Sequence, residues 1–249
     1  MAPELVVMNA KLINQVKSGI PGLDKLLHGG FRRESITVIT GSVGSGKSTV
    51  GVQFLVNGIT EHGEKGLLIS FESPKYAVYS NMIPFGWDLA NLERERKFVF
   101  IEYPASEMAD FANQEGNLRN LIGMVGVERV VIDSIAPISY IYESEEQRRL
   151  GLMKLVEMLR KLHCTVLVVS GDTEDNLNAM PRTTCGIESF TDGMIHTYNL
   201  FTGGERVRGV SVLKMRGSKH DDGIYKMEIT DEGVVVSDKK ISFGKSKKT

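Results

Sequence analysis

The feature that most restricts how this chain can fold is an eight-residue run, Gly41-Ser-Val-Gly-Ser-Gly46-Lys47-Ser48. It satisfies G-x-x-x-x-G-K-[ST] and lies between an apolar run, Ser35–Thr40 (SITVIT), and a helical stretch that begins at Thr49. The motif requires that context: glycines let the backbone turn tightly, so that peptide N–H groups and a helix start converge on phosphate oxygens. The residues placed to cradle a nucleotide's phosphates are Val43, Gly44, Ser45, Gly46, Lys47, Ser48 and Thr49. Lys47 would reach the β- and γ-phosphates of ATP, and the Ser48 hydroxyl would bind Mg²⁺.

A loop of this kind needs a carboxylate on the metal side, at the end of another strand. Arg129-Val-Val-Ile-Asp133 supplies it, with apolar residues running into Asp133. Glu72 closes a second apolar run, Gly66–Phe71, and is the candidate to polarise an attacking water. Further apolar runs at Phe98–Ile101 and Thr165–Ser170 alternate with helical stretches near Lys47–Asn57, Lys75–Phe85, Asn117–Val125 and Glu145–Lys161. The last carries Leu152, Leu155, Val156, Leu159 and Leu162 on one stripe that would pack on a sheet. Alternation of this kind predicts an α/β fold, a mostly parallel twisted sheet flanked by helices. After Met194 the pattern changes to short strands at Met194–Tyr198, Gly209–Met215, Ile224–Ile229 and Val234–Val236, which predicts a C-terminal antiparallel extension.

Composition narrows the function classes. The 249 residues carry 30 Lys+Arg against 31 Asp+Glu, a net charge of −1, so no global field draws the chain to nucleic acid. Cys164 and Cys185 form no metal-binding cluster and no C-x-x-C pair. The N-terminus lacks a basic n-region, and no apolar run approaches the roughly 18 residues of a membrane span. A cytoplasmic chain with no membrane partner is expected. A single domain over 1–249 is expected too, its core about 16–236, with 237–249 a flexible basic tail bearing Lys239, Lys240, Lys245, Lys247 and Lys248.

Lys214-Met215-Arg216 ends the strand Gly209–Met215, so Lys214 and Arg216 share one face while Met215 points to the core. Two adjacent cations repel unless an anion or solvent intervenes. Periodicity leaves two explanations open: a solvated edge strand, or a clamp on the γ-phosphate with Arg216 as an arginine finger.

With these residues in view the chain resembles the KaiC-like ATPases of the RecA superfamily, in their single-domain archaeal form. The resemblance runs from about Val16 to Val236. It rests on Gly19-Ile-Pro-Gly-Leu-Asp24 with Gly29-Gly30, the phosphate loop, Phe85-Gly86-Trp87, and Lys214-Met-Arg-Gly-Ser-Lys-His220 spaced from Thr230-Asp231. It implies a RecA-like P-loop fold and a homo-oligomeric, hexameric ring with ATP between subunits. It also implies that Lys214, Met215, Arg216, Ser218 and His220 reach the neighbour's nucleotide, with Thr230 and Asp231 near its base or ribose. A regulatory or signalling output through a protein partner goes with that reading.

Two departures bear on activity. The circadian KaiC protein carries two such domains and this chain one. The family often shows two adjacent glutamates where Glu72 is followed by Ser73, so slow hydrolysis is expected. Some members phosphorylate themselves at a position that Ser189 occupies here; a polar residue beside a strand start explains Ser189 without that chemistry. The alternatives are a RadA-like recombination mediator and a nucleotide-gated interaction module with little turnover. Ser134–Gln147 carries Glu143, Glu145 and Glu146 with no base, and Gly171–Arg182 carries Asp172, Glu174 and Asp175 against Arg182. Such loops repel a phosphate backbone, so nucleic-acid binding is not expected.

Overall fold

The computed structural model describes residues 15–172, 180–202 and 204–241. Eleven strands run in chain order: β1 Gln15–Val16, β2 Phe31–Arg32, β3 Ile36–Gly41, β4 Lys65–Ser70, β5 Phe98–Glu102, β6 Val127–Asp133, β7 Thr165–Val169, β8 Gly193–Thr202, β9 Glu205–Met215, β10 Tyr225–Thr230 and β11 Gly233–Lys240. The α-helices are α1 Leu23–Leu26, α2 Lys47–His62, α3 Lys75–Met82, α4 Leu89–Arg94, α5 Met108–Phe111, α6 Glu115–Val125, α7 Ile138–Ile141 and α8 Glu145–Arg160. None of them is long and apolar enough to cross a membrane.

Nine strands form one sheet in the order β11-β10-β9-β8-β3-β7-β6-β4-β5, and β1 pairs with β2 apart from it. Strands β3 to β8 are parallel, whereas β9, β10 and β11 run antiparallel. The expected α/β layering is therefore present, including the antiparallel extension.

Why the central strands read as unbroken apolar runs is visible in the two cores. Along β6, Val130 and Ile132 enter one core with α6 and α8, while Val131 enters the other with α2. Along β7, Val166 and Val168 face the first core and Leu167 the second. A sheet covered on both faces needs apolar side chains on both. On α8, Leu152, Leu155, Val156 and Leu159 are buried as the stripe predicts, and burying each such side chain contributes roughly 1.5–3 kcal/mol. Ser144 caps this helix, its hydroxyl accepting from Gln147 N at 3.2 Å.

One polar link crosses the α2 side of the sheet. Arg129 on β6 is 1% exposed; its Nε donates to Glu64 at 2.6 Å, Nη1 donates to the Phe54 carbonyl at 2.8 Å, and the guanidinium stacks on the Phe54 ring. Gly58 of α2 makes room for it, since a Cβ there would lie 2.4 Å from Arg129.

One boundary differs from expectation. Residues 237–240 are not tail but the end of β11, because Tyr225 pairs with Lys240 and Ile241 N bonds to the Ile224 carbonyl. The lysines beyond, Lys245, Lys247 and Lys248, lie outside the described residues. So do Glu174 and Asp175, two of the acids counted in the loop after β7.

Candidate functional site

Parallel strands bring their carboxyl ends to one edge of the sheet, and there β3, β4, β6 and β7 deliver the loop, Glu72, Asp133 and Asp172. The loop opens into α2 through Gly46, whose φ of 96° lies in the left-handed region that glycine adopts without strain. No side chain caps this helix start, so its first N–H groups point outward for an anion. Lys47 Nζ donates to the carbonyls of Gly41 and Ser42, both at 2.8 Å, which holds its ammonium over the loop.

Ser48 is exposed, and Val43 is 92% exposed at the loop's crest. Ser45 turns its side chain inward: it is buried, its hydroxyl lies 2.7 Å from Thr197 Oγ1, and its N–H lies 3.3 Å from the Ser42 carbonyl. Its small side chain anchors the loop to β8. Two residues outside the motif hold the loop from the other side. Asn199 Nδ2 donates to the Val43 carbonyl and Arg208 Nε to the Gly44 carbonyl, each at 3.0 Å. Both lie where β8 and β9 overshoot β3, a placement that local sequence does not announce.

On the metal side, Ser70 of β4 pairs with Asp133 of β6, which sets Glu72 two residues beyond the pairing. Glu72 accepts a 2.5 Å hydrogen bond from Ser134 Oγ. Burial pushes the Asp133 carboxyl above the usual aspartate range, opposed by a hydrogen bond with Ser48 and the Lys47 charge and reinforced by the Glu72 charge. Two neighbouring carboxylates and a hydroxyl, with burial resisting the charge on Asp133, are a hard-oxygen set suited to a divalent cation such as Mg²⁺.

A buried pair lies behind the loop. His196 Nε2 is 3.5 Å from Asp172 Oδ2, and both side chains are almost fully enclosed. Burial, and then the Lys47 ammonium, push the imidazole down to about 4.

The β10–β11 hairpin closes the same edge. A Cβ placed on Gly46 would lie 3.1 Å from Ile229 Cδ1, so Thr230 and Asp231, the next residues, stand at the phosphate-loop end of their own subunit and not, as expected, with Lys214 and Arg216 at the edge that would face a neighbour's nucleotide. Thr230 Oγ1 accepts from Glu232 N and donates to the Gly233 carbonyl, which tightens the turn.

The cationic residues lie at the far edge. Gly193, which opens β8, pairs with Thr37 near the start of β3 and with Met215 at the end of β9. Gly41 pairs with Thr197, four residues further along β8, about 13 Å at strand rise. Lys214 and Arg216 therefore sit at the amino end of the parallel strands, away from their own loop. Lys214 Nζ donates to the carbonyls of Glu188 (2.8 Å) and Thr191 (2.6 Å), and Arg216 Nη2 to that of Ser189 (3.4 Å). Burial and the Arg216 charge lower the Lys214 ammonium, with Asp192 and Glu188 opposing.

β9 lies between β8 and β10, but β10 pairs only with Arg208, Gly209 and Val210, so the end that carries Lys214 has β8 alone as a strand partner and keeps the edge character of one explanation. Met215 is buried in the core, and only its backbone is available to a ligand. Ser218 Oγ donates to the Lys219 carbonyl, and His220 Nδ1 lies 3.4 Å from Asp222.

The fold and the loop together define a P-loop domain of the RecA type. Comparison with known proteins gives the family. The profile of the family described as "ATPase: KaiC" matches residues 16–241, and this chain belongs to that family. It is 33% identical over 251 residues to a UPF0273 protein of Aeropyrum pernix, covering 94% of this chain and 98% of that one. It is 30% identical to the circadian clock oscillator protein KaiC of Synechococcus elongatus, covering 89% of this chain but 44% of that one. Among solved structures it is similar to the KaiC-like protein PH0186 of Pyrococcus horikoshii (TM-score 0.78, 30% identity, 90% of this chain and 99% of that chain).

Proposed function

We propose that this protein binds Mg·ATP and hydrolyses it slowly at subunit interfaces of a homo-oligomeric, hexameric ring. The observation that carries this reading is the separation of two half-sites on one subunit. A loop with Lys47, Ser48, Asp133 and Glu72 occupies one edge of the sheet, and Lys214 and Arg216 occupy the other. Cations that cannot reach their own loop gain a partner when a second copy presents its loop to them.

In this reading the amides of Val43 to Thr49 and the Lys47 ammonium hold the phosphates, while Ser48 and Asp133 hold the cation. That cation, when bound, screens the β- and γ-phosphate charge. Glu72 orients a water, restrained by its bond from Ser134. Arg216 and Lys214 of the neighbour, with Ser218 and His220 beside them, neutralise charge developing on the γ-phosphate. Thr230 and Asp231 face the ribose or base. Slow transfer to Ser189 is a secondary consequence of the same reading, since its carbonyl accepts from Arg216, the residue offered to the neighbour's γ-phosphate; mass spectrometry after prolonged incubation with MgATP showing no added phosphate would end it.

Turnover per subunit, measured against protein concentration with Mg²⁺ present, tests this. Specific activity should rise and then level as subunits associate. Activity that stays constant down to concentrations where sedimentation shows monomers would overturn the shared site. Stimulation by single-stranded DNA would instead support the recombination-mediator reading.

A further inference from the structure

Gln53 is a polar side chain in the middle of an apolar helix, Val50-Gly-Val-Gln53-Phe-Leu-Val56, and it is 3% exposed. It takes no part in the phosphate loop. Its amide forms a two-pronged pair with one residue of β11: Val234 N donates to Gln53 Oε1 at 2.6 Å, and Gln53 Nε2 donates to the Val234 carbonyl at 3.1 Å. β11 is the edge strand of the sheet, so these backbone groups face away from β10 with no further strand to meet them. The side-chain amide pairs with them as a peptide group of one more strand would.

The neighbouring residue fits the same purpose. Gly233 has φ 113°, and a Cβ there would lie 2.6 Å from Trp87 Cζ2 and 2.7 Å from Gln53 Oε1. The turn bearing Thr230 and Asp231 is thus seated against Gln53 and Trp87, with Trp87 stacked on Phe85 at 4.9 Å between ring centres. Gln53 follows Lys47 by six residues, about 9 Å along α2 at helix rise. One rigid helix therefore carries the phosphate-binding ammonium at one point and the support of the hairpin tip at another.

We infer that Gln53 is a positioning residue for nucleoside recognition: it references the Thr230–Asp231 turn to the helix that holds the phosphates. The ligand it serves is a nucleoside triphosphate rather than a bare polyphosphate. The exposed Asp231 carboxylate, held at a fixed height above α2, is the acceptor for ribose hydroxyls. This inference rests on the proposed placement of Thr230 and Asp231 at the nucleoside.

The test compares Mg·ATP with Mg·tripolyphosphate, which shares the phosphates and lacks the nucleoside, by calorimetry on the full chain. Gln53→Leu should weaken ATP about tenfold and leave tripolyphosphate within about twofold. Gln53→Glu, which keeps the acceptor for Val234 N and loses the donor, should fall between; it also serves if Gln53→Leu does not fold, as thermal unfolding would report. Asp231→Ala alone should weaken ATP, and adding Gln53→Glu to it should cost no more, because both act through one contact.

Equal losses for both ligands, or additive losses in the double variant, would reduce Gln53 to a prop for the sheet edge. An unchanged ATP affinity in Asp231→Ala would overturn the inference through the hairpin while leaving the phosphate site intact. Failure of the unaltered chain to bind ATP at all would instead strike the nucleotide reading itself.

Discussion

The two edges of the sheet differ in how complete they are. At the carboxyl edge every element of a phosphate site comes from one chain: the Gly46 helix start, Lys47 folded over its own loop, Ser48 beside Asp133, and Glu72 held by Ser134. At the amino edge, Lys214 and Arg216 rest on backbone carbonyls of the residue 188–191 turn. Carbonyl dipoles satisfy donors but leave the net charge, and burial already works against the Lys214 ammonium. The comparison teaches that one edge gathers loop, ammonium and carboxylates from a single chain, while the other holds two cations beside Asp192 and Glu188, away from that loop.

The largest effect expected from breaking this comparison is at the carboxyl edge. Lys47→Ala should weaken Mg·ATP at least about a hundredfold by calorimetry, since the loop loses its only side-chain cation on the phosphates. Undiminished binding would remove the loop from the site.

A smaller and more discriminating effect belongs to the other edge. Arg216→Ala should lower turnover at least about tenfold and leave ATP affinity within about threefold, because a finger acts on the transition state. Mixing Arg216→Ala with Lys47→Ala subunits should restore about a quarter of parental turnover, the share of interfaces in random rings that join a sound loop to a sound cation. No recovery in rings shown to exchange subunits would mean the two edges do not meet.

The smallest effect sharpens the view of what lies behind the loop. His196 is neutral when folded, with its pKa lowered to about 4 from 6.5. The unfolded chain therefore binds a proton first, and stability that is full above pH 6.5 is lost as pH falls toward 4. Between pH 6.5 and 5.5 the loss should be about 1 kcal/mol in urea denaturation, and His196→Gln should not show that increment. Identical pH slopes would place the pair outside the buried core.

Much of the carboxyl edge was legible because its residues are consecutive or terminate apolar runs. The eight-residue motif names its own loop, and Asp133 and Glu72 end strands that periodicity identifies. What escaped reading depends on contacts between residues far apart in the chain. Asn199 and Arg208 reach the loop only because β8 and β9 extend past β3, and Ser45 turns inward only because Thr197 pairs beside Gly41. Gln53 did leave a signal, an amide amid apolar neighbours, but its partner Val234 lies 181 residues away. The end of β11 was misjudged as tail because lysines read as solvated, while backbone pairing with Tyr225 is indifferent to side-chain charge.

By itself the sequence determined the layered α/β class, the phosphate loop and the strand-end carboxylates, because local periodicity and a contiguous motif carry those properties. Tertiary structure decided which end of the sheet each charged group occupies. The antiparallel return of β9 sends Lys214 and Arg216 to the edge opposite Lys47, whereas the next reversal, β10, brings Thr230 and Asp231 back beside it. Strand direction and register are set by pairing across the whole sheet, and no local window of residues contains them.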